Sequence, residues 1–290
     1  MKSMKFTGTD GILYVCATPI GNLEDITLRV LRILKEADLI AAEDTRQSIK
    51  LLNHFGIKTP MTSYHEYNKV EKARELVEKL KGGKTIALIT DVGTPAISDP
   101  GEELVRQCYE AGVCVLAVPG PAACITALVS SGQPARRFCF EAFLPPDKKE
   151  RNRVLSELKE ETRTIVLYEA PHRLRKTLSE LLEALGDRSV TLCRELTKRY
   201  EEKWKTTLSE AASYYEELEP KGEFVLVLQG KSWRQQEAEA QKKWEQLTIM
   251  QHMEQYLAEG MDKKEAMKQV AKDRGVPKRD IYQSLLKEGQ

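Results

Sequence analysis

The sequence predicts an α/β protein: two α/β subdomains followed by a small all-helical appendage. Three observations predict it. Short apolar runs alternate with amphipathic helical stripes through residue 230. Several of those runs end in polar or Gly-rich turns, the geometry that α/β proteins use to hold a ligand at the carboxyl edge of a sheet. After Gly230 only helical spacing remains. The expected boundaries are 1–124 for the first subdomain, 125–230 for the second, and 231–290 for a linker and helix-turn-helix-like appendage.

In chain order, Gly11 to Ala17 is a strand-like run, and Ile26, Val30, Leu31 and Leu34 form a helical stripe that Asp25 would cap. Leu39 to Ala42 is a short strand. Val70, Ala73, Leu76, Val77 and Leu80 form a second stripe, closed by Gly82 and Gly83. Thr85 to Thr90 is a strand. A helix starting at Asp99 would have Pro100 in its first turn and Glu102 completing a capping pattern. A strand from Val113 to Val118 precedes a helix of small residues. In the second half, Phe138–Phe143, Arg163–Tyr168, Val190–Cys193 and Glu223–Gln229 read as strands, and Trp204–Thr207 as one arm of a hairpin. Asp147–Lys159 and the stripe from Leu174 to Leu185 read as helices. The alternation predicts largely parallel sheets with helical crossovers.

Composition narrows the function classes. Lys plus Arg (45) nearly equals Asp plus Glu (44), so any nucleic-acid footprint is local. The six cysteines have no C-x-x-C spacing and sit mostly in apolar runs, as in a reducing, cytoplasmic setting. The four histidines form no zinc pattern, so no metal site is expected. No apolar run suits a signal peptide or a membrane span. Gly82-Gly-Lys-Thr85 resembles the end of a P-loop but has Glu78 where Gly is required and precedes a strand. No G-x-G occurs, so a Rossmann dinucleotide site is unsupported.

The chemistry-bearing segments sit at strand ends: Ala17-Thr-Pro-Ile-Gly-Asn22, Ala41-Ala-Glu-Asp-Thr-Arg46, Ile89-Thr-Asp-Val-Gly-Thr-Pro-Ala-Ile-Ser-Asp-Pro-Gly101, Val118-Pro-Gly-Pro-Ala-Ala123, Leu167-Tyr-Glu-Ala-Pro-His-Arg173 and Arg194-Glu-Leu-Thr-Lys198. Small residues at 120–123 allow a backbone to approach a ligand closely. Two local basic clusters follow: Lys148, Lys149, Arg151 and Arg153, and the tail from Lys263 and Lys264 to Lys278 and Arg279, which spans two helices around Gly275. A solvated helical hairpin is the competing reading of the tail.

These motifs, in this order and closed by Gly222-Glu-Phe-Val-Leu-Val-Leu228, resemble the tetrapyrrole-methylase-type fold and, within it, the ribosomal RNA small subunit methyltransferase I family. The resemblance covers residues 11–230, and the basic tail is similar to the family's appendage. It implies an S-adenosylmethionine-dependent enzyme that methylates the ribose 2′-oxygen of a cytidine in the 16S rRNA decoding centre. It also implies a homodimer acting on 16S rRNA, within the 30S subunit. The implied cofactor cleft lies between the two α/β subdomains, with contacts from Pro19, Asp91, Val92, Gly93, Ala96, Ala122 and Ala123, and from Tyr168 or Glu169 and Leu196 of the second half. Val92, Ala122 and Ala170 replace the family's usual Ala, Ser and Ser, which puts single contacts in question. Thr18-Pro-Ile-Gly21 stands where tetrapyrrole-modifying relatives carry a Gly-rich loop, which argues against a corrinoid substrate.

A ribose hydroxyl is a weak nucleophile, so a proton acceptor beside it helps. Glu43, Asp44, Glu66 and Glu169 are candidates, as is Lys198 if burial lowers its pKa. Asp44 oriented by Arg46 is favoured; the same pair also reads as a structural ion pair. Lys148, Lys149, Arg151, Arg153, Lys263, Lys264, Lys278 and Arg279 are expected to contact RNA phosphates. Two other functions fit less of the sequence: a small-molecule, tetrapyrrole-type methyltransferase, and a ligand-sensing regulator that binds nucleic acid.

Overall fold

The computed structural model describes residues 11–232, 244 and 247–288. The chain divides into two compact units, Met1–Leu158 with Thr164–Leu228, and Lys159–Arg163 with Gln229–Gln290. Residues 233–243 of the expected linker lie outside the described residues, as do 1–10.

The larger unit holds two five-stranded sheets. In the first, β1 (Ile12–Cys16), β2 (Leu39–Ala42), β3 (Met61–Ser63), β4 (Ile86–Ile89) and β5 (Cys114–Val118) lie in the order β3-β2-β4-β1-β5. Every pairing is parallel. Both faces are covered, as parallel sheets require. The pleat sends Leu13, Ile86 and Leu88 to one core with Leu76, Leu80 and Leu104. Ile40, Ala87 and Ile89 face the other, with Val30, Leu34 and Leu52. The crossover helices are α1 (Leu28–Glu36), α2 (Thr45–His54), α3 (Lys69–Lys81) and α4 (Gly101–Glu110).

Two helix starts differ from expectation. Thr27, not Asp25, caps α1 by accepting from Val30 N–H; residues Leu23–Asp25 form a separate 3-10 turn. α4 begins at Gly101, because the Asp99 carboxylate accepts from both Ala96 N–H (2.9 Å) and Gly101 N–H (2.7 Å) and so belongs to the preceding loop. The pattern with Glu102 is absent there. α2 and β3 lie in a stretch where the sequence reading assigned no element.

The second sheet corrects the expectation of parallel strands. Its order is β6-β7-β10-β8-β9, from β6 (Phe138–Ala142), β7 (Thr164–Glu169), β8 (Ser189–Arg194), β9 (Glu202–Thr207) and β10 (Phe224–Leu228). Only β6·β7 is parallel; the other three pairings are antiparallel. The reason is the β8–β9 hairpin, which reverses the chain after a short connection and needs no crossover. One face packs on α6 (Lys148–Glu160), α7 (Pro171–Leu185) and α8 (Leu208–Glu217) through Ile165, Leu167, Leu192 and Leu226. The other carries Val166, Cys193, Val225 and Val227 against α5 (Ala123–Ser130) and Ile20.

In the smaller unit α9 (Ile249–Ala258), α10 (Lys263–Asp273) and α11 (Lys278–Glu288) surround Met253, Ala266, Val270 and Ile281. Arg274 is structural: it donates to Leu247 O (2.7 Å), Thr248 O (3.1 Å) and His252 Nδ1 (3.1 Å). At the start of this unit a Cβ on Gly230 would lie 2.3 Å from backbone atoms of Thr162 and Arg163. Gly230→Ala is therefore expected to destabilise the protein by about 1–3 kcal/mol, read as a lower urea midpoint at unchanged slope. No helix among the described residues is long and apolar enough to cross a membrane.

Candidate active site

Because β2, β4, β1 and β5 are consecutive neighbours, the loops that follow them converge at one carboxyl edge. Backbone bonds fix the arrangement. Thr18 N–H donates to Gly93 O (2.8 Å) and Gly93 N–H to Thr18 O (3.2 Å), while Thr18 Oγ1 donates to Thr90 O (3.1 Å). Gly93 adopts φ +85°, and the loop beyond it holds Ala96 and Ser98 at φ +66° and +63°, a region disfavoured for residues with a Cβ. Asp99 clamps that loop, and Tyr64 Oη donates to Pro100 O (2.9 Å) behind it.

Two cavities open along this edge. The first, about 430 Å³, is mostly apolar: Ile20, Val92, Ile97, Phe143, Leu196 and Val225 line it, with Gly93, Ala122, Ala123 and Tyr168. Its volume is in the range of small-molecule sites. Ala122 and Ala123 sit at the start of α5, where the N-cap residue, Ala122, makes no side-chain cap. A helix start leaves backbone N–H groups without intrahelical partners. One of them, Cys124 N–H, donates to Tyr168 Oη (3.1 Å). Small side chains, apolar walls and a helix start fit a nucleoside bearing an amino-acid carboxylate.

The second cavity, about 400 Å³, is polar and shares Ile20, Val92 and Glu223 with the first. Thr18, Pro19, Thr90 and Asp91 line one side, Gln47, Ser48, Lys50, Leu51 and His54 of α2 another, and Lys198 and Glu223 a third. Gly21 lets the first loop press on the loop after β8: a Cβ there would lie 2.5 Å from Lys198 Cγ, 2.7 Å from Thr197 Oγ1 and 3.0 Å from Leu196 O. Gly21→Ala is expected to cost about 1–3 kcal/mol of stability and to weaken ligand binding, since Leu196 lines the first cavity. Chemical denaturation and calorimetry on the same preparation check both.

The residues expected from sequence divide by position. Val92, Gly93, Ala122, Ala123, Tyr168, Glu169 and Leu196 line the first cavity, whereas Pro19, Asp91 and Lys198 line the second. Ala96 lines neither of the two; its N–H is bound by Asp99.

The proton-acceptor candidates fare differently. Asp44 is the N-cap of α2: its Oδ1 accepts from Arg46 N–H (2.8 Å) and Nε (3.0 Å), and Oδ2 from Arg46 Nη2 (2.8 Å). The Arg46 side chain, followed by the helix N–H, lowers the Asp44 pKa to about 2. Such a carboxylate is a weak base at neutral pH, and neither Asp44 nor Arg46 lines either cavity. Glu169 also lines the first cavity, but its side chain is enclosed and fully engaged. It accepts from Thr177 Oγ1 (2.5 Å) and Ala170 N–H (2.8 Å), with Arg173 Nε at 3.5 Å. Lys198 lines the second cavity but is a cation: burial works to lower its pKa, and hydrogen bonds to Glu223 and Glu195 (2.9 Å each) outweigh it, so the net shift is upward. That removes the condition under which it would serve as a base. Glu43 accepts from Thr90 Oγ1 (2.5 Å), and Glu66 pairs with Lys69 at the surface.

Asp91 stands apart. Burial is the largest influence on it and raises its pKa; Asp44 N–H, bound at Oδ1 (3.1 Å), lowers it, and the charges of Glu43 and Asp44 raise it further. The net shift is upward.

Of the basic clusters, Lys148, Lys149 and Arg153 are exposed, the last 3.2 Å from Glu157. Arg151 departs from expectation. It is buried, 3.0 Å from Glu180, and donates to Pro145 O and Pro146 O, holding the Pro-Pro segment against α6 and α7. Lys263, Lys264, Lys278 and Arg279 are exposed on α10 and α11 of the smaller unit.

The sequence model described as Tetrapyrrole (Corrin/Porphyrin) Methylases matches residues 12–212. A ribosomal RNA small subunit methyltransferase I from Halalkalibacterium halodurans is 53% identical over 272 residues, covering 94% of this chain and 93% of its own. One from Bacillus subtilis is 47% identical over 283 residues, covering 97% of each chain. The chain belongs to the ribosomal RNA small subunit methyltransferase I family. Members of this family are methyltransferases, and the agreement extends through the helical appendage. Among solved structures, a uroporphyrin III C-methyltransferase from Thermus thermophilus superimposes with a TM-score of 0.54 at 21% identity, covering 76% of this chain and 97% of its own. A diphthine synthase does so with a TM-score of 0.59 at 15% identity, covering 75% and 89%. At those identities the likeness is one of fold.

Proposed function

We propose that this enzyme methylates the ribose 2′-oxygen of a cytidine in 16S rRNA, using S-adenosylmethionine, and that it acts on the 30S subunit as a cytoplasmic homodimer. The observation that carries the reading is the pair of adjoining cavities, one apolar and one polar, joined at Ile20, Val92 and Glu223. The names of the relatives supply the RNA class, and the family resemblance supplies the nucleotide, the 2′-oxygen and the dimer. Cys16, Cys108, Cys114, Cys124 and Cys193 are free thiols, which suits a reducing compartment. The division of the chain at residues 124 and 230 belongs to the same proposal.

Val92, Gly93, Ala122, Ala123, Tyr168 and Leu196 hold the cofactor, and its bound form supplies an electrophilic methyl group carried on a sulfonium. Apolar walls exclude water there, which strengthens alignment as the source of acceleration. Pro19 shapes the neighbouring cavity, and Asp91 takes the proton from the 2′-hydroxyl. Asp44 and Arg46 hold α2 and the Asp91 loop in register, through the Asp44 N–H on Asp91. Glu169 and Lys198 are positioning residues, the first for the start of α7 and the second for the loop after β8. Lys148, Lys149 and Arg153, with Lys263, Lys264, Lys278 and Arg279, contact phosphates. Arg151 keeps a structural role.

The test incubates the protein with labelled S-adenosylmethionine and, separately, 30S subunits, naked 16S rRNA or a porphyrinogen. Label at a ribose of 16S rRNA, in particles or free, supports the reading. Label on the porphyrinogen alone, or on none of the three, overturns it.

A further inference from the structure

The ten residues of α2, Thr45-Arg-Gln-Ser-Ile-Lys-Leu-Leu-Asn-His54, include no acidic side chain. Arg46, Lys50 and His54 recur every fourth residue and therefore share one face, about 6 Å apart along the axis. All three are exposed. Lys50 and His54 also line the polar cavity, together with Gln47, whose Oε1 accepts from Lys50 Nζ (2.8 Å). The His54 ring packs edge-on against Phe55, with centroids 4.7 Å apart, which restrains its direction. Arg46 is tied to Asp44, so the two inner positions carry the argument.

We infer that α2 is the rail along which the RNA strand enters: Lys50 and His54 bind the backbone phosphates flanking the acceptor nucleotide, and Gln47 contacts that nucleotide inside the polar cavity. The inference rests on the reading of the acceptor as RNA. Lys50 supplies a point charge and His54 a ring N–H that donates to a phosphate oxygen in either protonation state. A cationic helix face with a step of about 6 Å matches the scale of successive phosphates on an extended strand. A small neutral acceptor would have no use for an outward cation and a ring donor at the mouth of its cavity. These residues are distinct from those of the 148–153 cluster and of the tail, and they line the cavity next to the cofactor pocket.

The test compares wild type with Lys50→Gln/His54→Asn in methylation of 30S subunits and in binding of the same RNA at several salt concentrations. Calorimetry with S-adenosylmethionine and a melting curve run alongside. Both side chains are exposed, so the variant is expected to melt with the wild type. The expected result is a KM for RNA raised about tenfold or more, a salt slope shallower by about 0.7, as for the one phosphate that Lys50 neutralises on a single strand, and an unchanged affinity for S-adenosylmethionine. Wild-type methylation of RNA with no change in KM or salt slope in the variant overturns the rail and leaves the proposed function standing. Absence of RNA methylation by the wild type overturns both.

Discussion

Asp91→Asn is expected to lower kcat by roughly 10²- to 10⁴-fold, the usual contribution of a general base, while leaving the affinity for S-adenosylmethionine near that of the wild type. The amide keeps an oxygen for Asp44 N–H, which Asp91 Oδ1 now accepts at 3.1 Å, so the loop geometry is retained. Asp44→Asn, in contrast, keeps the helix cap and loses a carboxylate already held by Arg46 to a pKa of about 2; its turnover is expected to stay within a few-fold of wild type. The pH profile separates the two residues further. A base must be ionised to act, so the rate falls as pH drops through its pKa. Burial raises that of Asp91, which places the acid limb above the ordinary carboxylate range, around 4. A limb that persists unchanged in Asp91→Asn, or near-normal turnover of that variant, removes Asp91 from the role. A collapse of turnover in Asp44→Asn with cofactor affinity intact returns the role to Asp44.

Ala123→Leu is expected to close the cofactor cavity. Position 123 opens α5 and lines the apolar pocket, where the methyl side chain leaves space beside Tyr168. Leucine is a good helix former, so the helix should persist. Crowding of about 1–3 kcal/mol translates into a roughly 5- to 150-fold rise in Kd for S-adenosylmethionine. Calorimetry reads it directly. Wild-type affinity in this variant would place the cofactor somewhere other than against α5.

The strand-end logic of the sequence picked out segments that line the two cavities, because it depends on local order: a buried strand must end, and its polar loop must reach water. What sequence could not give was side-chain direction. Tyr168 and Glu169 are adjacent letters and both line the first cavity, yet the Glu169 carboxylate is taken up by Thr177 and Arg173 of α7. Arg151 sits among exposed cations and is buried, because Glu180 and the carbonyls of Pro145 and Pro146 are brought to it by tertiary packing. The α2 helix had a legible signal that was passed over: Asp44-Thr-Arg-Gln47 is an N-cap followed by Gln at the third helical position. Reading it would have moved Asp44 from acceptor to cap. The direction of the strands in the second sheet depended on the short β8–β9 connection, whose turn residues, Glu195 and Thr197, adopt left-handed φ despite carrying side chains.

Ala96 and Ser98 have a thermodynamic consequence. Each left-handed residue with a Cβ raises the energy of the native chain by roughly 1–3 kcal/mol. Glycine at both positions should therefore yield a protein that melts at a higher temperature only if the gain exceeds the extra freedom released in the unfolded chain. Either way, the wall beside Val92 and Gly93 is set before any ligand arrives, so association should be fast and require little rearrangement of the backbone.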